Sequence, residues 1–265
     1  MFNFTLYQRE MRRSLLTLCI FGALMTLYLS VIIGMFDPKL MGSLDEWVDI
    51  LPEMMAAIGM TAGATTLIGF MSSYLYGFIL LVIPMVFIIL RANALVAKYV
   101  DSNAMVSLAA APVKRRAIAF TQMAVLATGM IALVVYATVI ELACAAKFPG
   151  ALAVGDLLRL NLGLLCLHLF IGGICFFASC LFNETKYSIA VGAGVPALMF
   201  ILKMLSNTGE AAEKAKYFTF FTLFNPDGIV AGEASAIIGM AALFVGACAL
   251  FAAAIGVFRK KDLHI

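Results

Sequence analysis

The sequence predicts an all-α integral membrane protein with six transmembrane helices and both termini in the cytoplasm. Of its 265 residues 64% are hydrophobic and 12% are Asp, Glu, Lys or Arg, about half the charged share of an ordinary soluble domain. The mean hydropathy is +1.05. Six stretches reach the length of about 20 mostly apolar residues that a bilayer-spanning helix needs, and the charges cluster at their ends. Too little charge remains to keep so apolar a chain in water, which excludes a soluble enzyme and a disordered tail.

The first span runs from about Leu15 to Phe36 and the second from about Ser73 to Leu90. The third covers about Gln122 to Leu142, the fourth Leu157 to Phe182, the fifth Ser188 to Leu205 and the sixth Ala234 to Phe258. Met54 to Phe70, rich in Gly, Ala and Thr, reads as a short or re-entrant helix or as an extension of the second span. The first span follows Arg9, Arg12 and Arg13, as a signal peptide would. Its apolar core is too long, however, and no small-x-small cleavage site precedes Asp37, so it should remain as an anchor.

With the N-terminus inside, 12 of the 18 basic residues face the cytoplasm, among them Arg91, Lys98, Lys114, Lys186, Arg259, Lys260 and Lys261. Asp45, Glu46, Asp49, Glu53, Glu210 and Glu213 fall outside. That distribution obeys the positive-inside rule, and an even number of spans agrees with it. The six cysteines lie in or at the ends of apolar runs without Cys-x-x-Cys spacing, which suits small packing residues better than metal ligands.

Pro84 in the second span and Pro196 in the fifth should kink their helices and free a carbonyl, giving either a hinge or a fixed bend. Gly59-x-x-x-Gly63, Ala252-x-x-x-Gly256 and the Gly192/Gly194 pair would let helix backbones approach closely. Gly192-x-Gly194 is no nucleotide fingerprint, since no strand precedes it.

None of the 21 glycines is followed by lysine, so the chain has no Walker A loop and ATP-driven work would need another polypeptide. Gly-x-Ser-x-Gly and His-Glu-x-x-His are both missing, and the two histidines are His168 and His264. We therefore expect no catalysis by the chain itself and no resident cofactor or metal. Glu141, Arg159 and Lys203 fall near the outer ends of their helices, where long side chains can reach the interface. His168 lies near the middle of the fourth span, either in a translocation path or as a neutral imidazole bonded to a neighbouring helix.

The segment from Arg91 to Thr121, residues 91–121, should continue the second helix beyond the bilayer. A short helix at Asn103 to Ala111 should follow, capped by Asp101 or Ser102 and ended by Pro112, before the basic corner Lys114-Arg115-Arg116. It suits contact with a partner protein, or binding of anionic headgroups.

Three stretches resemble the type 2 ABC transporter permease family, the membrane subunits of bacterial exporters driven by separate ATP-binding subunits. Phe2 to Ser14, amphipathic with its three arginines, is similar to the connecting helix placed ahead of the family's first span. Leu108-Ala-Ala-Ala-Pro112-Val113-Lys114-Arg115-Arg116 resembles the Leu-Leu-x-x-Pro-Val-Ser-Arg signature after the second span. Phe258-Arg-Lys-Lys-Asp-Leu263 resembles the closing aromatic, basic, Asp-Leu ending. Lys114 replaces the usual hydroxyl residue, and Asp101-Ser102-Asn103 stands where the family often has Glu followed by Gly.

The resemblance implies one permease domain over residues 1–265, with a connecting helix at 1–14 and a cytoplasmic coupling segment at 91–121. It implies two copies of an ABC ATPase as partners, which carry the ATP and magnesium, and a second permease subunit, identical or related. The setting would be a bacterial plasma membrane, with no nucleic acid involved. By the same resemblance Asp101, Pro112, Val113, Arg115 and Arg116 are candidates for coupling to the ATPase, with Arg12 and Arg13 second. It also suggests a short hydrophobic helix or re-entrant hairpin between Lys203 and Glu233; an aromatic interfacial belt is the plainer reading. The Met- and Phe-rich interior suits amphipathic cargo such as peptide antibiotics, drugs or lipids. The competing classes are a membrane sensor or immunity protein that does not transport, and a secondary carrier using His168 as proton relay.

Overall fold

The computed structural model describes residues 2–36, 50–58, 66–101, 114–148, 150, 152–208 and 212–261. Six helices within them are long and apolar enough to cross a membrane. They are α1 (Phe4–Gly34), α3 (Leu67–Asp101), α4 (Arg115–Ala145), α5 (Val154–Leu181), α6 (Thr185–Ser206) and α8 (Ala234–Lys260). Two short helices, α2 (Pro52–Ala57) and α7 (Pro226–Ala231), complete the set used below. Every predicted span is present, and the described residues contain no strand.

The helix ends differ from the hydropathy limits, because a helix continues past the hydrocarbon wherever its backbone is still bonded. Asn3 caps α1 by accepting the backbone N–H of Leu6 at 3.0 Å. From there 31 residues run without a break, a length of roughly 46 Å at 1.5 Å per residue. Residues 4–14 are thus the first three turns of the first span, with no interruption setting them apart as a separate connecting helix. The second span begins at Leu67 and reaches Asp101, so the Gly- and Thr-rich approach is resolved on its described part into α2 and an extension of the span.

Helix α5 is the hub. It packs against α3, α4, α6 and α8, while α1 lies on α4 and α3. Two thirds of the apolar stretch of α5 is buried, against 28% for α1 and α8 and 22% for α6. The three peripheral helices thus turn large apolar side chains such as Leu16, Ile201 and Val245 outward. Without water as solvent, helix association rests on close packing and on hydrogen bonds between helices. At the α5–α6 contact Cys175 donates to the Gly192 carbonyl at 3.0 Å, and the Ser179 and Ser188 hydroxyls lie 3.0 Å apart. A Cβ on Gly192 would sit 3.4 Å from Cys175 Cα, whereas one on Gly194 or Gly256 would meet open space. Only Gly192 of those three therefore serves the close approach read from the sequence; Gly59 and Gly63 lie outside the described residues.

The two intramembrane prolines do not stop their helices: Leu80–Leu95 continues through Pro84 and Thr185–Ser206 through Pro196. A π-helical turn, Leu75–Ile79, interrupts α3 one turn before Pro84. Such a turn widens the backbone ladder and leaves a carbonyl available to other donors. Lys203 of α6 donates to the Gly77 carbonyl within it at 3.2 Å.

The segment before α8 forms two 3-10 turns, Glu213–Phe218 and Phe220–Leu223, and then α7. It lies over the end of the bundle opposite the basic one, with Phe221 and Phe224 buried, while Tyr217 and Phe218 stand 78% and 73% exposed. The aromatic run thus divides into residues that cap the bundle and residues that stand exposed. All six cysteines are free, with Cys166, Cys175 and Cys180 buried.

Candidate functional site

The basic end of the bundle carries the residues singled out in the sequence. It is assembled by contacts between chain segments far apart in sequence. The Asn3 backbone N–H donates to Thr121 Oγ1 at 3.1 Å, and the Tyr7 hydroxyl to Thr128 Oγ1 at 3.1 Å, so the start of α1 lies along the start of α4. Arg115 donates through Nη1 to the Lys261 carbonyl at 2.8 Å, and Lys261 Nζ donates to the Phe182 carbonyl at 2.6 Å. The ends of α5 and α8 are thereby tied to the first residue of α4. Burial lowers the Lys261 pKa below the ordinary lysine value.

Glu10 is the acidic centre of this end. It is 2% exposed, accepts the Tyr99 hydroxyl on Oε1 at 2.7 Å and pairs with Arg13 at 3.4 Å. Arg13 also donates to the Tyr99 hydroxyl. The cluster binds the third turn of α1 to the final turns of α3, two residues before Asp101. Arg12, Asp101 and Arg116 are exposed. Pro112 and Val113, with the short helix expected at 103–111, lie outside the described residues. Arg12, Arg13, Asp101, Arg115 and Arg116 therefore share one end of the molecule, with Arg13 and Arg115 engaged in internal contacts.

At the opposite end a cleft of about 500 Å³ opens between α3, α6 and the segment that precedes α8. Lys203, Asn207, Glu213 and Asp227 contribute polar groups to it, and Ser72 donates to Asp227 Oδ1 at 2.6 Å. At its rim Lys216 donates to Glu213 at 2.5 Å, which pulls the Glu213 carboxyl pKa down and raises that of Lys216.

Between the two ends lie buried polar groups. His168 is fully buried in α5, with Nε2 3.5 Å from the Leu81 carbonyl of α3 and no partner of normal geometry for Nδ1. Its contact is thus with a neighbouring helix backbone, three residues before Pro84. Arg159 reaches out from near its helix end, 60% exposed in its side chain and paired with Asp156 at 3.2 Å.

Glu141 does not. Instead of reaching the interface it turns inward and is fully buried. Oε1 accepts the Tyr76 hydroxyl at 2.9 Å and Oε2 accepts from Asn161 Nδ2 at 2.7 Å. Hydropathy missed this set because Glu141 stands four residues from the end of α4, a position that usually allows a carboxylate to reach water. The signal lay in Asn161, a polar residue about two turns inside α5 and otherwise unexplained.

No protein-family model matches this chain, and no curated protein matches it.

Proposed function

We propose that the chain is the transmembrane permease subunit of an ATP-driven ABC exporter. Two such subunits, identical or related, would form the path, and two separate ATP-binding subunits would drive it from the basic side. Nucleotide binding to the ATPases would favour one arrangement of the membrane halves over the other and expel an amphipathic substrate.

The observation that carries this reading is the gathering of Arg12, Asp101 and Arg116, all exposed, at one end of a six-span bundle. They come from α1, the end of α3 and the start of α4, and two of them flank the segment that bears the Pro112-Val113 signature. The internal ties of Arg13 and Arg115 would pass a push on that end to three helices. The outward apolar sides of α1, α6 and α8 leave room for a second subunit as well as for lipid.

The test is capture of the solubilised chain from its native membrane, with co-purifying proteins identified, for wild type and for Arg12→Glu/Arg116→Glu. Both positions are exposed, so the double variant should fold. Recovery of a Walker-containing ATPase with the wild type and its loss with the variant is the expected outcome. A chain that purifies without any ATPase in both cases sinks the proposal.

A further inference from the structure

A second cavity, of about 410 Å³, lies at the basic end between α1 and α3, lined by Arg9, Glu10, Arg13, Arg91, Ala94, Lys98 and Tyr99. Arg9, Arg13 and Arg91 surround one carboxylate, and that carboxylate is already engaged by Arg13 and Tyr99. A net excess of positive charge is left facing the cavity. Arg91 is 9% exposed, and its Nε is buried with no hydrogen-bond partner. A guanidinium held largely out of water with an idle donor is costly unless something supplies the missing acceptor. A phosphate oxygen is well matched to it, because the planar fork of arginine binds phosphate in two-point contacts.

The level of the cavity identifies the source of that phosphate. On α1 the apolar run begins at Leu15, immediately after Arg13 and Ser14; on α3 it ends at Leu90, immediately before Arg91. The cavity therefore sits where hydrocarbon gives way to headgroups, the depth of a phospholipid phosphate. Below it the same helix faces turn apolar. Arg9 and Arg13 are followed at helical spacing by Leu16, 73% exposed, and Ile20, 51% exposed, while on α3 Ala94 is preceded by Leu90 and Val86, both outward. Acyl chains laid against those stripes would leave the headgroup between Arg9, Arg13 and Arg91.

We propose that this cavity binds the phosphate of an anionic phospholipid from the leaflet at the basic end. The proposal does not depend on the exporter reading, and it concerns residues distinct from the exposed coupling candidates except for Arg13. Basic pockets between membrane helices are suited to anionic headgroups. Here the lipid would also brace the junction of α1 with α3, since Arg13 touches both Glu10 and Tyr99.

The test is native mass spectrometry of the detergent-purified full chain titrated with phosphatidylglycerol, with phosphatidylcholine and inorganic phosphate as comparison probes. The variants are Arg9→Gln, Arg13→Gln/Arg91→Gln and, as a control of equal charge, Arg259→Gln/Lys260→Gln. We expect preferential retention of phosphatidylglycerol by the wild type and by the control. We expect roughly fivefold weaker binding for Arg9→Gln and about tenfold or more for the double variant. Arg9 is exposed, so its variant keeps the test valid should the double variant fail to fold. Equal retention of phosphatidylcholine, or equal loss in the control pair, overturns the proposal by reducing it to general surface attraction. Displacement of the lipid by millimolar inorganic phosphate overturns it in favour of a soluble phosphate ligand.

Discussion

Tyr76 donates its phenolic hydroxyl to Oε1 of Glu141 across 2.9 Å, and neither residue has any exposed surface. The bond joins the π-helical turn of α3 to the last turns of α4, and Asn161 adds α5 through Oε2. Three helices, α3, α4 and α5, thus meet at one carboxyl group.

Glu141→Ala should accordingly be severe. It strands a phenol and an amide with no water to replace the lost acceptor, a cost of roughly 2–4 kcal/mol. Glu141→Gln should be close to wild type, because its carbonyl can still accept from Tyr76 while its amide donates to an Asn161 turned to present Oδ1. Thermal unfolding of the detergent-purified variants separates them. Equal loss for both would mean that the charge, and not the hydrogen-bond geometry, holds the three helices.

His168→Leu addresses another buried ionisable group. The imidazole has one long contact to the Leu81 carbonyl and an unpartnered Nδ1, so exchange for an apolar side chain of similar size removes a desolvated polar group along with a weak bond. The expected change in stability is within about 1 kcal/mol, and on the exporter proposal ATP-driven transport should be retained. Transport that collapses while the variant remains folded would revive the proton-relay reading and set the exporter proposal against it.

The six spans were legible because bilayer crossing imposes a length and an apolarity that a sequence displays directly. Glu141 was not legible, since hydropathy reports how far a residue stands from a helix end and says nothing of which way the helix is turned. Rotation of α4 about its axis, set by packing on α1 and α5, decided that Glu141 meets Tyr76 and Asn161. Arg13 is legible as one of the three arginines of the amphipathic N-terminal stretch, and Arg115 as part of the basic corner Lys114-Arg115-Arg116. Their partners Tyr99 and the Lys261 carbonyl, 86 and 146 residues away, follow only from the fold.

Gly239 of α8 supports the cap over the end of the bundle opposite the basic one. A Cβ there would lie 2.3 Å from the Leu223 carbonyl oxygen and 3.2 Å from its carbon, both backbone atoms that cannot rotate aside. At Gly163 of α5 the nearest obstacle is Ile229 Cδ1 at 2.7 Å, the far end of a flexible side chain. Gly239→Ala should therefore lift the segment that precedes α8 and cost roughly 1–3 kcal/mol, more than Gly163→Ala. Hydrogen exchange over residues 219–231 should rise in the first variant and hold in the second. The reverse order would show that the cap is anchored by α7 on α5 and not by its seat on α8.

Arg115, Lys261 and the Phe182 carbonyl form a chain of bonds across the basic ends of α4, α8 and α5. Arg115→Ala removes its first link, at a cost of roughly 1–2 kcal/mol. Faster exchange should follow at residues 258–261, with the helix centres unchanged. The second link should carry a pH signature. Burial holds the Lys261 pKa below its ordinary value of 10.5, so between the lowered value and 10.5 the unfolded chain binds more protons than the folded one. Stability contributed by this residue must then rise with pH across that window, and be lowest below it, where both states are charged. The unfolding temperature of wild type relative to Lys261→Met should accordingly climb as pH is raised from neutral toward 10.5. A difference that stays flat would mean that the ammonium remains hydrated, and that the link to Phe182 does not hold α8 against α5 in solution.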